Sequence, residues 1–168
     1  MTQFRKAVSE DLEKIMTLIG NAQAAMAALG IDQWQDGYPD REVIENDIAL
    51  GRLYVEDHIG AMAALVTGRE PAYEALEGQW LNEGAYLTVH RMALDAAHRG
   101  DGHTANDVFA FAFDFAKAHQ CASVRVDTHR GNVRMRKCLQ KNCFVECGEV
   151  RYDSCTGDPI RVAYEKTV

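Results

Sequence analysis

The chain has 168 residues, 47% hydrophobic and 26% charged, with a formal charge of −7. That length fits one domain with a sizeable core, and the composition is that of a globular protein. The negative charge argues against non-specific nucleic-acid or anionic-membrane partners, and no apolar run approaches the roughly 20 residues of a membrane helix. The start, "MTQFRKAVSEDLEK", lacks the apolar stretch of a signal peptide, and five cysteines without a CxxC pair fit a reducing, cytoplasmic setting.

In chain order, "FRKAV" (4–8) reads as a strand. Ser9 is placed to cap a helix whose Leu12, Ile15, Met16 and Ile19 form one apolar face. "NAQAAMAALG" (21–30) reads as a second helix stopped by Gly30. "DREVIENDIALG" (40–51) repeats the design, with Val43, Ile44, Ile48 and Leu50 apolar and Gly51 as the stop. The period then shortens. "RLYVED" and "AMAALVTG" form a hairpin around "DHIG", and "PAYEALEG" (71–78) is a helical turn. "AYLTVHRMALD" (85–95) is a strand, followed by a helix over 103–119 and a strand over 123–128. A short helix over 132–142 and strands near 143–151 and 160–166 complete the chain. The order β-α-α-β-β-β-α-β-α-β-β makes an α/β (α+β) domain, a mixed sheet with helices on both faces.

The turn "AHRGDGHTAND" opens a long helix, where unpaired backbone N–H groups and the helix dipole favour an anion. It lacks the lysine of a Walker A loop and the third glycine of a dinucleotide fingerprint. It does fit an acyl-CoA pyrophosphate loop, Q/R-x-x-G-x-G/A, with Arg99, Gly102 and Thr104 at the fixed positions; Thr104 stands where Gly or Ala is expected. A plain glycine bend remains the alternative from the turn alone.

With "VHRMALDAAHRGDGH" and "VRVDTHRGNVRMRKCLQKNCFVECG" together, the chain resembles the GCN5-related N-acetyltransferase (GNAT) family across about residues 3–166. "GIDQWQDGYPD" and "RVAYEK" resemble a subgroup of small bacterial members whose acceptors are generally unassigned. The resemblance implies a mostly antiparallel central sheet whose central strand parts from its neighbour, often at a β-bulge. It implies acetyl-CoA as donor, with the pantetheine arm on the backbone of Met92 and Leu94. The pyrophosphate would lie on the amides of Arg99, Gly100, Asp101, Gly102, His103 and Thr104. Asn132 stands where an asparagine often binds pantetheine, and it also suits a helix N-cap.

The implied reaction is attack by an amine on a thioester, in a small-molecule or peptide acceptor. His90 occupies the place of the family's strand carboxylate and could take the proton; a histidine packed on the sheet is the other reading. Met92, or an amide beside it, could stabilise the oxyanion. Leu139 replaces the tyrosine that often protonates the leaving thiolate, and Cys143 replaces a usual glycine. Trp34 and Tyr38 either wall the acceptor pocket or pin a loop to the core. The histidine and cysteine spacings do not match a zinc site, so no metal is expected. Dimers are common in the family, so a homodimer is allowed. The rival function is an acyl-CoA-binding regulatory module with little catalysis.

Overall fold

Alternating apolar residues build one sheet, and the two parities of that alternation bury against different helices. The computed structural model describes residues 2–96 and 105–168. It contains β1 (Phe4–Lys6), α1 (Leu12–Ala28), α2 (Arg41–Ala49), β2 (Leu53–Glu56) and β3 (Ala61–Thr67). After these come α3 (Pro71–Glu74), β4 (Glu77–Gly78), β5 (Tyr86–Leu94), α4 (Ala105–Ala118), β6 (Ser123–His129), α5 (Val133–Lys141), β7 (Val145–Arg151) and β8 (Ile160–Thr167). The eight strands lie in the order β1-β2-β3-β5-β6-β8-β7-β4, and every pairing except β5–β6 is antiparallel. This is the expected mixed sheet with one further short strand: "PAYEALEG" is helical only over Pro71–Glu74, and Glu77–Gly78 pairs with β7.

On one face Ala63, Leu65, Leu87, Val89, Val124 and Val126 pack against Val108, Phe109 and Ala112 of α4 and Leu139 of α5. On the other, Leu53, Val55, Met62 and Ala64 pack against Ile15, Leu18 and Ile19 of α1 and Ile44 of α2. A third cluster, Tyr73, Tyr86, Val150 and Ala163, seats α3. Among the described residues no helix is long and apolar enough to cross a membrane.

Several local expectations are corrected. Residues 21–28 continue α1, because Gly20 in mid-helix costs only about 1 kcal/mol while Ile15, Leu18, Ile19 and Ala22 hold one continuous buried face. Ser9 is not the cap. It begins a short 3₁₀ turn (Ser9–Asp11), and the Asp11 carboxylate accepts from the Val8 amide and from both terminal nitrogens of Arg5. Leu50 is 60% exposed, and the buried residues of α2 are Ile44 and Asp47.

Helices α1 and α2 stop as the glycines indicated. After α1, Gly30 at φ 68° donates to Ala27 O while Ile31 donates to Met26 O; Gly51 at φ 63° repeats the pattern after α2. Helix α5 ends in the same two bonds, Cys143 to Gln140 O and Phe144 to Leu139 O, but the left-handed residue is Cys143 at φ 63°. A side chain there costs about 1 kcal/mol relative to glycine. Cys143→Gly is therefore expected to stabilise the protein by about 0.5–1 kcal/mol, read as a higher urea midpoint at unchanged m-value.

Candidate active site

β5 pairs with β3 along its length but with β6 only at Tyr86–Ser123, Leu87–Val124 and Thr88–Arg125. Beyond Thr88 the two strands part, while β6 stays paired with β8 out to His129–Arg161. The parting coincides with a β-bulge. Ala64 faces His90 and Met62 faces Ala93, so β5 carries one extra residue, and Arg91 within it has φ 49°. Side-chain parity switches there: Leu87 and Val89 pack on the α4 face before the bulge, Met92 and Leu94 after it, and Ala93 joins the α1 cluster.

Glycine is the residue usually favoured at φ above zero, so something must hold the arginine. Arg91 binds Asp47 of α2 through Nε and Nη2, and Nη1 donates to the Tyr38 hydroxyl at 2.8 Å. Asp47 is fully buried and also accepts from Arg52 Nε at 2.6 Å. One carboxylate from α2 thus ties down the bulge and the loop that carries Tyr38.

A cavity of about 470 Å³ opens where β5 and β6 part. From β5 it is lined by Val89, His90, Arg91 and Met92, and from β6 by Val126, Asp127 and Thr128. The loop between α1 and α2 supplies Trp34 and Tyr38; the start of α5 supplies Asn132 and Met135. His90, Met92, Asn132, Trp34 and Tyr38 thus line one cavity. Leu94 does not: it lies further along β5, opposite Ala61. Arg99, Gly100, Asp101, Gly102, His103 and Thr104, with the first residues of the helix expected over 103–119, lie outside the described residues.

His90 Nε2 is 2.9 Å from Glu70 Oε2, and both side chains are mostly buried. The hydrogen bond to His90 holds the Glu70 carboxyl below its usual range, against the opposing effect of burial. An ionised carboxylate can only accept, so the neutral imidazole carries its proton on Nε2. Nδ1 is left with no partner among the described residues. Asp127 Oδ2 accepts from both Tyr73 Oη at 2.8 Å and Tyr152 Oη at 2.7 Å. Burial, then the Asp127 charge, pushes both phenols up, so both remain protonated donors.

Asn132 caps α5, accepting from Met135 N at 3.2 Å, and also lines the cavity. Trp34 lines the cavity while packing on the α1 cluster. Its loop is stitched across the cavity mouth: Gln33 Oε1 accepts from His129 N, and Asp32 Oδ2 accepts from Asp158 N. Leu139 is fully buried in the core. Cys138 reaches towards Asn142 and Asn106, and burial pushes its thiol up. Among the described residues no three histidine, cysteine or acidic side chains converge on a metal-sized site.

No protein-family model matches the chain, and no curated protein matches it in sequence. Solved structures do. A GNAT-family acetyltransferase from Streptococcus agalactiae is 37% identical over 99% of this chain and 95% of its own, with a TM-score of 0.85. The chain belongs to the GNAT family. Two more distant structures share the GNAT fold. The ribosomal-protein-S18-alanine N-acetyltransferase of Escherichia coli is 12% identical at TM-score 0.67, over 100% of this chain and 94% of its own. The NatC complex bound to Gag peptide and CoA is 9% identical at TM-score 0.67, over 99% and 98%.

Sequence reading of this GNAT chain missed Glu70, Asp127, Tyr73 and Tyr152, and the Asp47–Arg91 pair. Glu70 and His90 are 20 positions apart and meet only because α3 folds onto β5, so no spacing announces them. Asp127 had a signal: it alternates with Val124 and Val126 in a central strand, where a polar residue on a buried face needs partners.

The lowered Glu70 carboxyl fixes the sign of one pH effect. Its stabilising contribution is fully present above the unfolded value of about 4.3 and is lost as pH falls through the lower folded value. Glu70→Gln should melt below wild type at pH 7, with the gap closing at acid pH; a pH-independent gap would refute this.

Proposed function

We propose that this GNAT chain, acting as one domain over residues 1–168 in the cytoplasm, transfers an acetyl group from acetyl-CoA to a primary amine of a small molecule or peptide. The observation that carries the reading is the parting of β5 from β6, with His90 and its glutamate on one lip and a cavity beneath. Residues 99–104 would take the pyrophosphate on their amides, where Gly102 lets the backbone approach the anion. The backbone of Met92 and Leu94 would take the pantetheine arm along the unpaired edge of β5, with Asn132 at its side. That NatC, of the same fold, was solved with CoA supports the donor.

The amine lone pair attacks the thioester carbonyl while His90 Nδ1 removes the N–H proton, giving an imidazolium next to the Glu70 carboxylate. The arrangement follows the logic of a base oriented by a carboxylate. The oxyanion develops near the Met92 amide. As the tetrahedral centre collapses, the C–S bond breaks and CoA leaves as thiolate, taking a proton from solvent. No protein acid is assigned, because Leu139 sits in the core. The raised Cys138 thiol argues against an acyl-cysteine, so transfer is direct in a ternary complex. Trp34 and Tyr38 wall the acceptor side.

Mixing acetyl-CoA with an amine panel while following free thiol tests the reading. Amine-dependent thiol release with intersecting double-reciprocal plots is expected. Tight acetyl-CoA binding without release would instead favour a binding module. His90→Ala should lose about 10²-fold or more in kcat, and an unchanged rate in the folded variant would make His90 structural. Gly102→Val should lose acetyl-CoA affinity while still folding. Trp34→Ala should raise the acceptor KM with acetyl-CoA affinity kept within a few-fold; a drop of about 3–5 kcal/mol in stability with normal kinetics would mark Trp34 as a core anchor only.

A further inference from the structure

Two of the carboxylates lining the cavity, Glu70 and Asp127, stand on opposite sides of the gap between β5 and β6, and the chemistry accounts for only one. The last β5–β6 pair is Thr88–Arg125, so counting on two places sets His90 against Asp127 across the opening. Both residues line the cavity, and Tyr73 bridges them, its hydroxyl on Asp127 and its ring 6.3 Å from the His90 ring. The Glu70 charge is matched once His90 becomes an imidazolium. Asp127 has no such match. Its Oδ2 takes two neutral phenol donors, and its Oδ1 has no partner among the described residues.

Among the described residues, none of the arginines around it bonds Asp127. Arg91 and Arg52 share Asp47, Arg125 pairs with Glu165, and Arg161, which also lines the cavity, turns its guanidinium to the main-chain carbonyls of Asp158 and Ile160 and to Cys155 Sγ. Asp32 and Asp36, which also line the cavity, add negative charge, while Asp158 pairs with Arg130 and His129. A carboxylate left without a cation in a cavity selects a positive ligand.

The reacting nitrogen already has its base in His90, which takes the proton that the attacking amine must lose, so Asp127 is left to a different group of the acceptor. A cation that persists through the reaction is the better match, and about 470 Å³ is ample for one beyond the amine and acetyl group. Resting on the acetyl-transfer reading above, we infer that the acceptor carries a second, permanently cationic group besides the amine that is acetylated, and that Asp127 binds it. The acceptor class is then a diamine, or an amine bearing another basic group. Tyr73 and Tyr152 orient the Asp127 carboxylate, with Oδ1 turned to the ligand.

Three acceptors of equal chain length separate the cases: a four-carbon diamine, the matching monoamine, and the matching ω-amino carboxylate. Wild type should favour the diamine over the monoamine by about 10- to 100-fold in kcat/KM, the range of a charge-assisted hydrogen bond. The amino carboxylate should be poorest. Asp127→Asn keeps one oxygen to accept from both phenols and removes the charge, and should bring the diamine-to-monoamine ratio close to one. Tyr152→Phe keeps the charge and should keep the preference. Thermal melts with coenzyme A present give a readout without turnover: the diamine should raise the wild-type melting temperature more than the monoamine does, and Asp127→Asn should lose that difference.

Equal use and equal binding of the three acceptors by wild type overturns the inference, whether or not the variants fold. So does an Asp127→Asn protein with an unchanged ratio, or a diamine that neither shifts the melt nor accelerates thiol release. Amines acetylated without charge preference would leave acetyl transfer standing and remove the cation site. A diamine-specific melting shift without thiol release would do the reverse.

Discussion

The site depends on the loss of hydrogen bonding between β5 and β6 beyond Thr88–Arg125. Two parallel strands in mid-sheet would ordinarily zip together, since unpaired backbone N–H and C=O groups there are costly. Here β6 keeps its pairing with β8, β5 keeps its pairing with β3, and the extra residue at Arg91 bends β5 away. The left-handed arginine is held by a buried aspartate on α2. The opening therefore belongs to the tertiary structure and not to β5 alone: α2 sets Asp47, Asp47 sets Arg91, and Arg91 holds both the bulge and Tyr38.

Charge is distributed around that opening with distinct purposes. Asp47 is consumed structurally by two arginines. Glu70 is turned onto His90 and fixes which ring nitrogen carries the proton. Glu165 is fully buried and pairs with Arg125, whose guanidinium lies 4.0 Å from the Trp80 ring and 3.9 Å from the Tyr86 ring. That stack, with Leu81 N donating to Glu165 Oε2, anchors the 79–84 segment at the base of β5. Asp127 faces His90 across the opening and is supported by two neutral phenols, which is why its charge is read as addressed to a ligand.

Much of the fold was legible because it rests on local rules. Alternation marked the strands, 3.6-residue spacing marked α1, and Gly30 and Gly51 marked true helix stops. Where a local rule competed with burial, burial prevailed: α1 runs through Gly20, and Ser9 yields its capping place to Asp11, which has Arg5 as a second partner. The site was legible only in part. His90, Met92, Asn132, Trp34 and Tyr38 came from motif positions, and they converge on one cavity. Glu70, Asp127 and Asp47 act through partners 20 to 54 residues away, and no sequence spacing encodes such meetings. Cys143 shows the converse. The sequence reveals a departure from a usual glycine, and only the backbone shows that the left-handed conformation persists without it.

The most direct test of the central claim is a crystal structure of the protein with coenzyme A and an unreactive acceptor analogue. The pantetheine arm should lie against the backbone of β5 at Met92 and Leu94, in the gap where β6 departs, with the sulfur close to His90 Nδ1. A coenzyme bound away from that gap, or a gap closed by renewed β5–β6 pairing past Thr88–Arg125, would contradict it.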